Sequence, residues 1–294
     1  MSLKNIKYRL EYVVFRILKG FIQIFPEKFR FSFANFLGKL SYTFIKKRRL
    51  IALANLKLAF PEKSEEERIK IAKKSFQVMS RAFLSTLWFE KYLANPKNIK
   101  FVGDEHIDEM TIKNKGAIAA MIHMGNMEAP VKLAEKYPLV TVAKKQRNPY
   151  IDDFITNSRK KLNITLLKKS KTTTRDLLKH IDKKEIIGLF SDHRDKGATV
   201  DFFGEDTVAP TGAVSLALKY NIPLFLCFNV LADDNTSTTY ISDEIDLVKT
   251  GSFKNDVQEN TQRLIYKMES IISRYPEQWM WFHDRWKLYK KLYK

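Results

Sequence analysis

The chain has 294 residues, of which 45% are apolar and 13% aromatic, and this composition excludes a disordered or low-complexity protein. Its one cysteine, Cys227, excludes a disulfide-stapled fold and a cysteine-based zinc site. The net charge is +19, of which residues 1–50 carry +10 and residues 285–294 carry +5. Two cationic ends on a nearly neutral body indicate an anionic partner, which could be phospholipid, nucleic acid, or a phosphorylated or acidic substrate.

The first predicted element is an amphipathic helix. In the stretch 10–25, apolar side chains recur at the spacing of one helix face, while Arg9, Arg16 and Gln23 share the opposite face. A helix that spans a membrane needs about 20 mostly uncharged apolar residues, and Arg16 and Lys19 interrupt this run. The pattern therefore favours a helix that lies in the membrane interface, with its basic side chains reaching the headgroups.

A second apolar segment, 29–44, ends in the basic cluster 46–49. Polybasic clusters beside apolar helices are attracted to anionic lipid leaflets. We therefore predict a membrane-associated helical extension over residues 1–60 and an α/β domain over residues 61–294. An ordinary helical subdomain with a solvated basic face is the alternative interpretation of the extension.

Beyond residue 60 the pattern changes to short apolar runs that alternate with helical patterns. Ser64 and Glu67 match a capping box, which predicts a helix that could extend to about residue 93. The alternation after residue 96 predicts an α/β fold with a mixed, largely parallel sheet flanked by helices. The predicted strands are 99–102, 117–122, 139–143, 186–190, 223–230 and 239–245, and the predicted helices are 104–113, 126–136, 149–162, 174–181, 211–220 and 257–274.

The segment 115–130 holds the first candidate catalytic residues. A buried-type strand delivers His123 to its carboxyl end, which is where open α/β sheets bind ligands. Glu128 follows in the first turn of the next predicted helix, with Asn126 as a natural N-cap. This spacing allows the Glu128 carboxylate to fold back onto the imidazole, and such a dyad could take a proton from a hydroxyl. A structural histidine is the competing interpretation of His123.

Charged side chains also follow two other predicted strands. They are Asp192 and Arg194 after one strand, and Arg147 and, on the next helix, Arg159 after the other. Because the carboxyl ends of parallel strands share one edge of a sheet, we expect these groups to converge with His123 on one crevice. Arg194 or Lys196 could hold a phosphate or polarise a thioester oxygen, whereas a solvated turn is the alternative for Lys196.

Over nearly its whole length the chain resembles the late acyltransferases of lipid A biosynthesis, the lauroyl and myristoyl transferases, within the lysophospholipid acyltransferase superfamily. The more specific marks are NLKLAFP at 55–61 and PEQWMWFHDRWK at 276–287. The spacing of His123 and Glu128, His-x4-acid, is shared by the whole superfamily. Further segments that carry the resemblance are 146–159, 191–204, 210–212 and 222–225.

The resemblance implies a glycerol-3-phosphate acyltransferase-like fold and an enzyme at the cytoplasmic face of the inner membrane. It would transfer an acyl chain from an acyl carrier protein or CoA thioester to a hydroxyl of a phosphorylated glycolipid, the lipid A precursor, without a cofactor or metal. His123 would be the general base and Glu128 its orienting acid, where many members of the superfamily have Asp. The residues lining the site would be Arg147, Arg159, Asp192 and Arg194.

Other functions remain compatible with these patterns. Related enzymes acylate mannosylated phosphoinositides and other glycolipids, and the same dyad acting on water would make a thioesterase. A non-enzymatic basic protein on anionic lipid or nucleic acid would explain the charge but would leave His123 and Glu128 without a task. No recognisable nucleic-acid module accompanies the tryptophans at 279–286, so we expect them to pack against the sheet or at a membrane interface. We expect His283 to be a surface or structural residue.

Overall fold

The computed structural model describes residues 2–113 and 115–293; Met1, Asn114 and Lys294, which the two predicted domain ranges include, lie outside the described residues. Five helices open the described chain. They are α1 (Leu3–Ile22), α2 (Glu27–Phe44), α3 (Lys46–Ala59), α4 (Glu65–Ser85) and α5 (Phe89–Ala94). The predicted capping box at the start of α4 is confirmed, since Ser64 and Glu67 each accept the other's backbone N–H. The helix predicted to reach residue 93 ends earlier, because the chain turns after Ser85 and buries Trp88.

The remaining elements form an α/β body. Its strands are β1 (Ile99–Val102), β2 (Ala117–Met121), β3 (Leu139–Ala143), β4 (Ile164–Lys168), β5 (Ile186–Phe190), β6 (Ala198–Phe202), β7 (Glu205–Ala209), β8 (Leu224–Leu231) and β9 (Ser237–Ile241). Its helices are α6 (Glu105–Ile112), α7 (Pro149–Lys160), α8 (Thr173–Asp182), α9 (Gly212–Tyr220), α10 (Phe253–Arg274) and α11 (Leu288–Tyr293), with 3₁₀ helices at Ala129–Glu135 and Pro276–Gln278.

Seven strands form one sheet in the order β1-β9-β8-β2-β5-β3-β4, and β6 and β7 form a separate antiparallel hairpin. Every neighbouring pair in the large sheet is parallel except β8 and β9. This arrangement confirms the predicted α/β fold with a mixed, largely parallel sheet. The six predicted strands are present, whereas β4 and the hairpin were not predicted.

One predicted helix takes a different form, and this changes the surroundings of the candidate site. The segment 126–136 forms a 3₁₀ helix only from Ala129 to Glu135. The Asn126 side chain accepts the Glu128 N–H at 3.3 Å, which makes a side-chain turn, and Pro130 has no N–H to donate to an α-helical ladder. Glu128 therefore sits in a turn before a tight helix.

The amino-terminal helices differ in how they are packed. Leu56 and Phe60 of the α3 region belong to the main core, whereas α1 buries no residue completely. One face of α1 contacts α7, where the rings of Phe15 and Phe154 lie 5.5 Å apart. No helix among the described residues is both long and apolar enough to cross a membrane. The exposed apolar side chains of α1 and α2 include Leu10, Val13, Val14, Ile17, Leu18, Phe21, Phe29, Phe33 and Phe36.

Candidate active site

The pairing of β2 with β5 places His123 beside Asp192. The two strands are parallel, and Met121 lies opposite Phe190 in the register. His123 and Asp192 each follow that pair by two residues, so they leave the carboxyl edge of the sheet side by side. The Phe190 ring stacks on the imidazole, with the ring centroids 4.0 Å apart.

The Asp192 carboxylate binds His123 through both carboxylate oxygens, one bonded to the imidazole and the other to the backbone N–H. His123 Nδ1 lies 2.7 Å from Oδ1, and the His123 backbone N–H donates to Oδ2 at 2.9 Å. The Trp279 indole N–H also donates to Oδ2, at 2.8 Å. An ionised carboxylate only accepts hydrogen bonds, so the proton is on Nδ1 and the lone pair of the neutral ring is on Nε2.

The Asp192 side chain is only 2% exposed. Burial by itself would raise the pKa of Asp192, but attraction to His123 and the hydrogen bonds from His123 and Trp279 outweigh it. The pKa of this carboxyl group therefore lies well below its usual range. Asp192 is ionised at neutral pH, which is the state that orients a neutral histidine and stabilises an imidazolium.

Glu128 does not reach the imidazole, and this corrects the predicted His123–Glu128 contact. Its carboxylate forms an ion pair with Arg159 of α7, and the Arg159 guanidinium lies 4.6 Å from the centre of the Phe89 ring. Two physical reasons account for the difference: Nδ1 of His123 is already bonded to Asp192, and Glu128 lies in a turn that faces α7. The pair is mostly buried, with side chains 15% and 22% exposed.

The other predicted site residues lie at different distances from His123. Asp192 contacts it directly, and Arg194 donates from Nη1 to Thr207 Oγ1 at 2.9 Å on the hairpin. Arg147 is exposed and makes no hydrogen bond or ion pair with any described residue. The structure thus brings Asp192 into the candidate site and Arg194 beside it, while the substrate-binding roles of Arg147, Arg159 and Arg194 stay predictions.

A metal-ligand set can be drawn at the same place. Ligand atoms of His123, Asp192 and His193 all lie within 4.8 Å of one another, and two imidazoles with a carboxylate suit zinc. Both oxygens of Asp192 and Nδ1 of His123 are, however, already used in hydrogen bonds to each other and to Trp279. These hydrogen bonds account for the close approach of His123 and Asp192.

Chemically, the site presents an imidazole whose Nδ1 is bonded to Asp192 and whose Nε2 forms no hydrogen bond with the described residues. Residues 1–288 match the family model of the bacterial lipid A biosynthesis acyltransferases. The chain belongs to this family. The resemblance inferred from the sequence is thereby confirmed, and the protein is an acyltransferase of lipid A and lipopolysaccharide biosynthesis.

Curated relatives agree with this assignment. The acyltransferase is 28% identical over 260 residues to the lipid A biosynthesis lauroyltransferase of Escherichia coli K12. This match covers 85% of the chain and 83% of the relative. It is 23% identical over 259 residues to the palmitoleoyltransferase of the same strain, covering 85% and 82%. A lipid A biosynthesis acyltransferase of Haemophilus influenzae is 24% identical over 282 residues, covering 92% and 84%.

Two histidines of the acyltransferase that its sequence pattern does not place at the site, His193 and His283, lie beside His123. His193 Nδ1 and His283 Nε2 are buried without a hydrogen-bond partner among the described residues, and both rings border a small space next to His123. Burial lowers the pKa of each, with smaller effects from nearby charges. His283 lies in the segment 276–287 that carried the resemblance, and that was the one signal that could have revealed it.

The carboxyl-terminal segment holds Asp192 in place through hydrogen bonds. Arg285 is fully buried and donates from Nε to the Asp192 carbonyl oxygen at 2.8 Å. Trp279, Trp281 and Trp286 are also buried, which confirms that these aromatic side chains pack within the fold. Burial, opposed by attraction to Asp192, lowers the pKa of Arg285 to about 10, so this side chain is still charged at neutral pH.

Proposed function

We propose that this acyltransferase moves a fatty acyl chain from an acyl carrier protein or CoA thioester to a hydroxyl of a lipid A precursor, without a covalent acyl-enzyme and without a cofactor. His123 acts as the general base and Asp192 as its orienting carboxylate. The observation that supports this proposal is the 2.7 Å contact between His123 Nδ1 and Asp192, which leaves Nε2 as the basic nitrogen.

The proposed reaction has two linked steps. As the acceptor oxygen attacks the thioester carbonyl carbon, its proton moves to His123 Nε2, and a tetrahedral oxyanion forms. Asp192 stabilises the imidazolium during this step. The intermediate then collapses, the carbon–sulfur bond breaks, and the leaving thiolate takes the proton from Nε2. His193 and His283, whose pKa values are lowered chiefly by burial, stay neutral and do not oppose protonation of His123.

One assay separates this proposal from its alternatives. The detergent-solubilised protein is incubated with an acyl carrier protein thioester and a lipid A precursor, and the products are resolved by mass spectrometry. Acylated lipid supports the proposal, free fatty acid alone indicates hydrolysis of the thioester instead of transfer, and no product contradicts this pair of donor and acceptor. Replacing the acceptor with a mannosylated phosphoinositide tests the other glycolipid class.

We also propose that α1 and α2 hold the enzyme on the cytoplasmic face of the inner membrane, lying in the lipid interface. The apolar side chains of α1 are exposed, while the opposite face of the helix packs on α7 through Phe15 and a hydrogen bond from Arg9 to Tyr150. An exposed apolar face with basic residues along its flank is the pattern of an interfacial helix.

This membrane assignment predicts that Val14→Asp combined with Ile17→Asp releases the protein from vesicles containing anionic lipid. Both side chains are more than half exposed, so the fold keeps its core. Each loses about 1.5–3 kcal/mol of apolar burial in lipid, and binding measured by vesicle sedimentation should fall at least 100-fold. Tyr266→Asp, on the exposed face of α10, is the matched control and should bind as the unmodified protein does. Unchanged binding of the double variant would contradict the interfacial role of α1.

The ion pair between Glu128 and Arg159 gives a separate prediction. Replacing either partner with glutamine leaves a mostly buried charge without its counter-ion, so the free energy of unfolding should fall by about 1–3 kcal/mol. The double variant should lose less than the sum of the two, as denaturant unfolding can measure. If the losses of unfolding free energy in the two single variants add up in the double variant, or if Glu128 shows strong energetic coupling to His123, the Glu128–Arg159 pairing is contradicted.

A further inference from the structure

An open cleft of about 550 Å³ is lined by two chain segments that continue from the surroundings of the proposed catalytic pair. Its lining residues are Arg194, Asp195, Lys196, Gly197, Val208 and Lys287. Arg194 follows Asp192 by two residues, and Lys287 follows Arg285, which donates to the Asp192 carbonyl oxygen. The cleft is thus formed by the segment that contains Asp192 and by the segment whose Arg285 holds Asp192 in place.

The charges in this cleft are not balanced. Asp195 is already occupied, because it forms an ion pair with Lys169 and accepts the Lys196 backbone N–H. Arg194, Lys196 and Lys287 form no ion pair with any carboxylate of the described residues. Three cationic side chains on one concave surface repel each other unless an anion lies between them.

The backbone and the side-chain bonds give the cleft a defined shape. Arg194 is held by Thr207 Oγ1, which also accepts a hydrogen bond from Arg285 at 2.7 Å. Lys287 has a φ of 57°, a left-handed conformation that a residue with a side chain seldom adopts. Outliers of this kind cluster at binding sites, where the surrounding structure holds them. The cleft is therefore a cationic surface in which the Arg194 side chain and the Lys287 backbone are held in place.

We propose that this cleft binds a phosphate group of a substrate and thereby positions the reacting atoms at His123. The inference rests on the proposed function, because it assigns a substrate group to that site. A guanidinium pairs two phosphate oxygens in a planar geometry, and two ammonium groups add point charges that suit a multiply charged anion. The phosphate belongs either to the glycolipid acceptor or to the donor, since acyl carrier protein and CoA thioesters also carry phosphate.

The test compares Lys196→Gln combined with Lys287→Gln against the unmodified full-length enzyme. Both lysines are exposed, so these changes spare the core, and Lys254→Gln on the exposed face of α10 is the matched control. Each enzyme is assayed with a phosphorylated or dephosphorylated acceptor and with an acyl carrier protein thioester or a phosphate-free N-acetylcysteamine thioester. Losing charge-assisted contacts should cut the kcat/KM preference for the phosphate-bearing substrate about 10- to 100-fold.

The four substrate pairs identify the source of the phosphate. A reduced preference for the phosphorylated acceptor assigns the cleft to the acceptor, and a reduced preference for the phosphate-bearing donor assigns it to the donor. Equal losses on all four pairs, or no loss on any, would overturn the proposal.

A second measurement does not depend on turnover. Inorganic pyrophosphate should raise the unfolding temperature of the unmodified protein and of Lys254→Gln, and should raise that of the double lysine variant much less. An equal rise in all three proteins would also overturn the proposal. If the unmodified enzyme transfers no acyl chain but shows the pyrophosphate effect, the proposed function fails while the anion site stands.

Discussion

Replacing His123 with glutamine is expected to lower the turnover number by about 10²–10⁴-fold while the protein stays folded, because glutamine has no basic nitrogen to take the acceptor proton. Glutamine can still donate a hydrogen bond to Asp192, so the buried carboxylate keeps a partner. Turnover is measured with saturating thioester and lipid acceptor, and folding is followed by circular dichroism and thermal unfolding.

The chain offers a matched control for this substitution. His180 of α8 makes the same kind of contact, with Nδ1 2.7 Å from Glu185 Oε2, but it lies before β5, at the opposite edge of the sheet from His123. His180→Gln therefore removes a histidine–carboxylate pair outside the site and should leave turnover close to normal. A folded His123→Gln protein with near-normal transfer would place the chemistry at other residues.

The position of His123 was predictable from the sequence, whereas its partner was not. An apolar run followed by His123 indicates a strand end, and the structure confirms this strand end. The identity of the partner depends on the register that sets Met121 opposite Phe190, and spacing along one strand carries no information about register between strands. Glu128 was the nearer acid in sequence, but the turn before Pro130 directs it towards Arg159.

The unpredicted parts of the fold have a similar explanation. Strand β4 is short and is followed by lysines, so its sequence lacks a clear strand pattern. The β6–β7 hairpin turns through Phe203 and Gly204, both with positive φ, within a segment whose polar sequence is typical of a loop. Likewise, sequence pattern cannot show that Arg285 is fully buried, since its charge suggests a surface position. Its burial depends on Asp192 and Thr207, which are far away in the chain.

The two segments that carried the family resemblance contact each other. Asn55 of α3 is buried and donates from Nδ2 to the carbonyl oxygens of Trp281 and His283, at 2.8 and 2.7 Å. Phe60 packs edge-on against the Trp281 ring, 5.5 Å between centroids. NLKLAFP thus anchors the carboxyl-terminal segment whose Trp279 and Arg285 hold Asp192. Both segments therefore help to hold the Asp192 carboxylate in place.

Replacing Asp192 with asparagine should also impair turnover by about 10²–10⁴-fold, through the tautomer of His123. The His123 backbone N–H and the Trp279 indole N–H both donate to Oδ2, so the asparagine oxygen takes that position. Its NH₂ group then faces Nδ1, which must become the acceptor, and the proton moves to Nε2. The basic lone pair is thereby lost from the catalytic nitrogen, and ¹⁵N shifts of the His123 ring should report the exchange.

The stability of the Asp192→Asn variant should depend on acid pH differently from that of the unmodified protein. The pKa of Asp192 is depressed below its ordinary value of 3.8, so the unfolded chain binds its proton more readily than the folded one. The stability that this carboxylate contributes is present above about pH 4 and is lost as the pH falls towards its folded pKa. The free energy of unfolding should therefore decline less steeply below pH 4 in Asp192→Asn than in the unmodified protein. Equal slopes would show that Asp192 is not held ionised by its partners.

Combining Asp192→Asn with His123→Gln distinguishes a pair from two independent residues. If Asp192 acts only by orienting His123 and stabilising its imidazolium, it has no task once the imidazole is gone, and the double variant should turn over about as fast as His123→Gln alone. Losses that multiply would mean that Asp192 serves a second step, such as contact with the substrate, and would contradict its assignment as the positioning residue of His123.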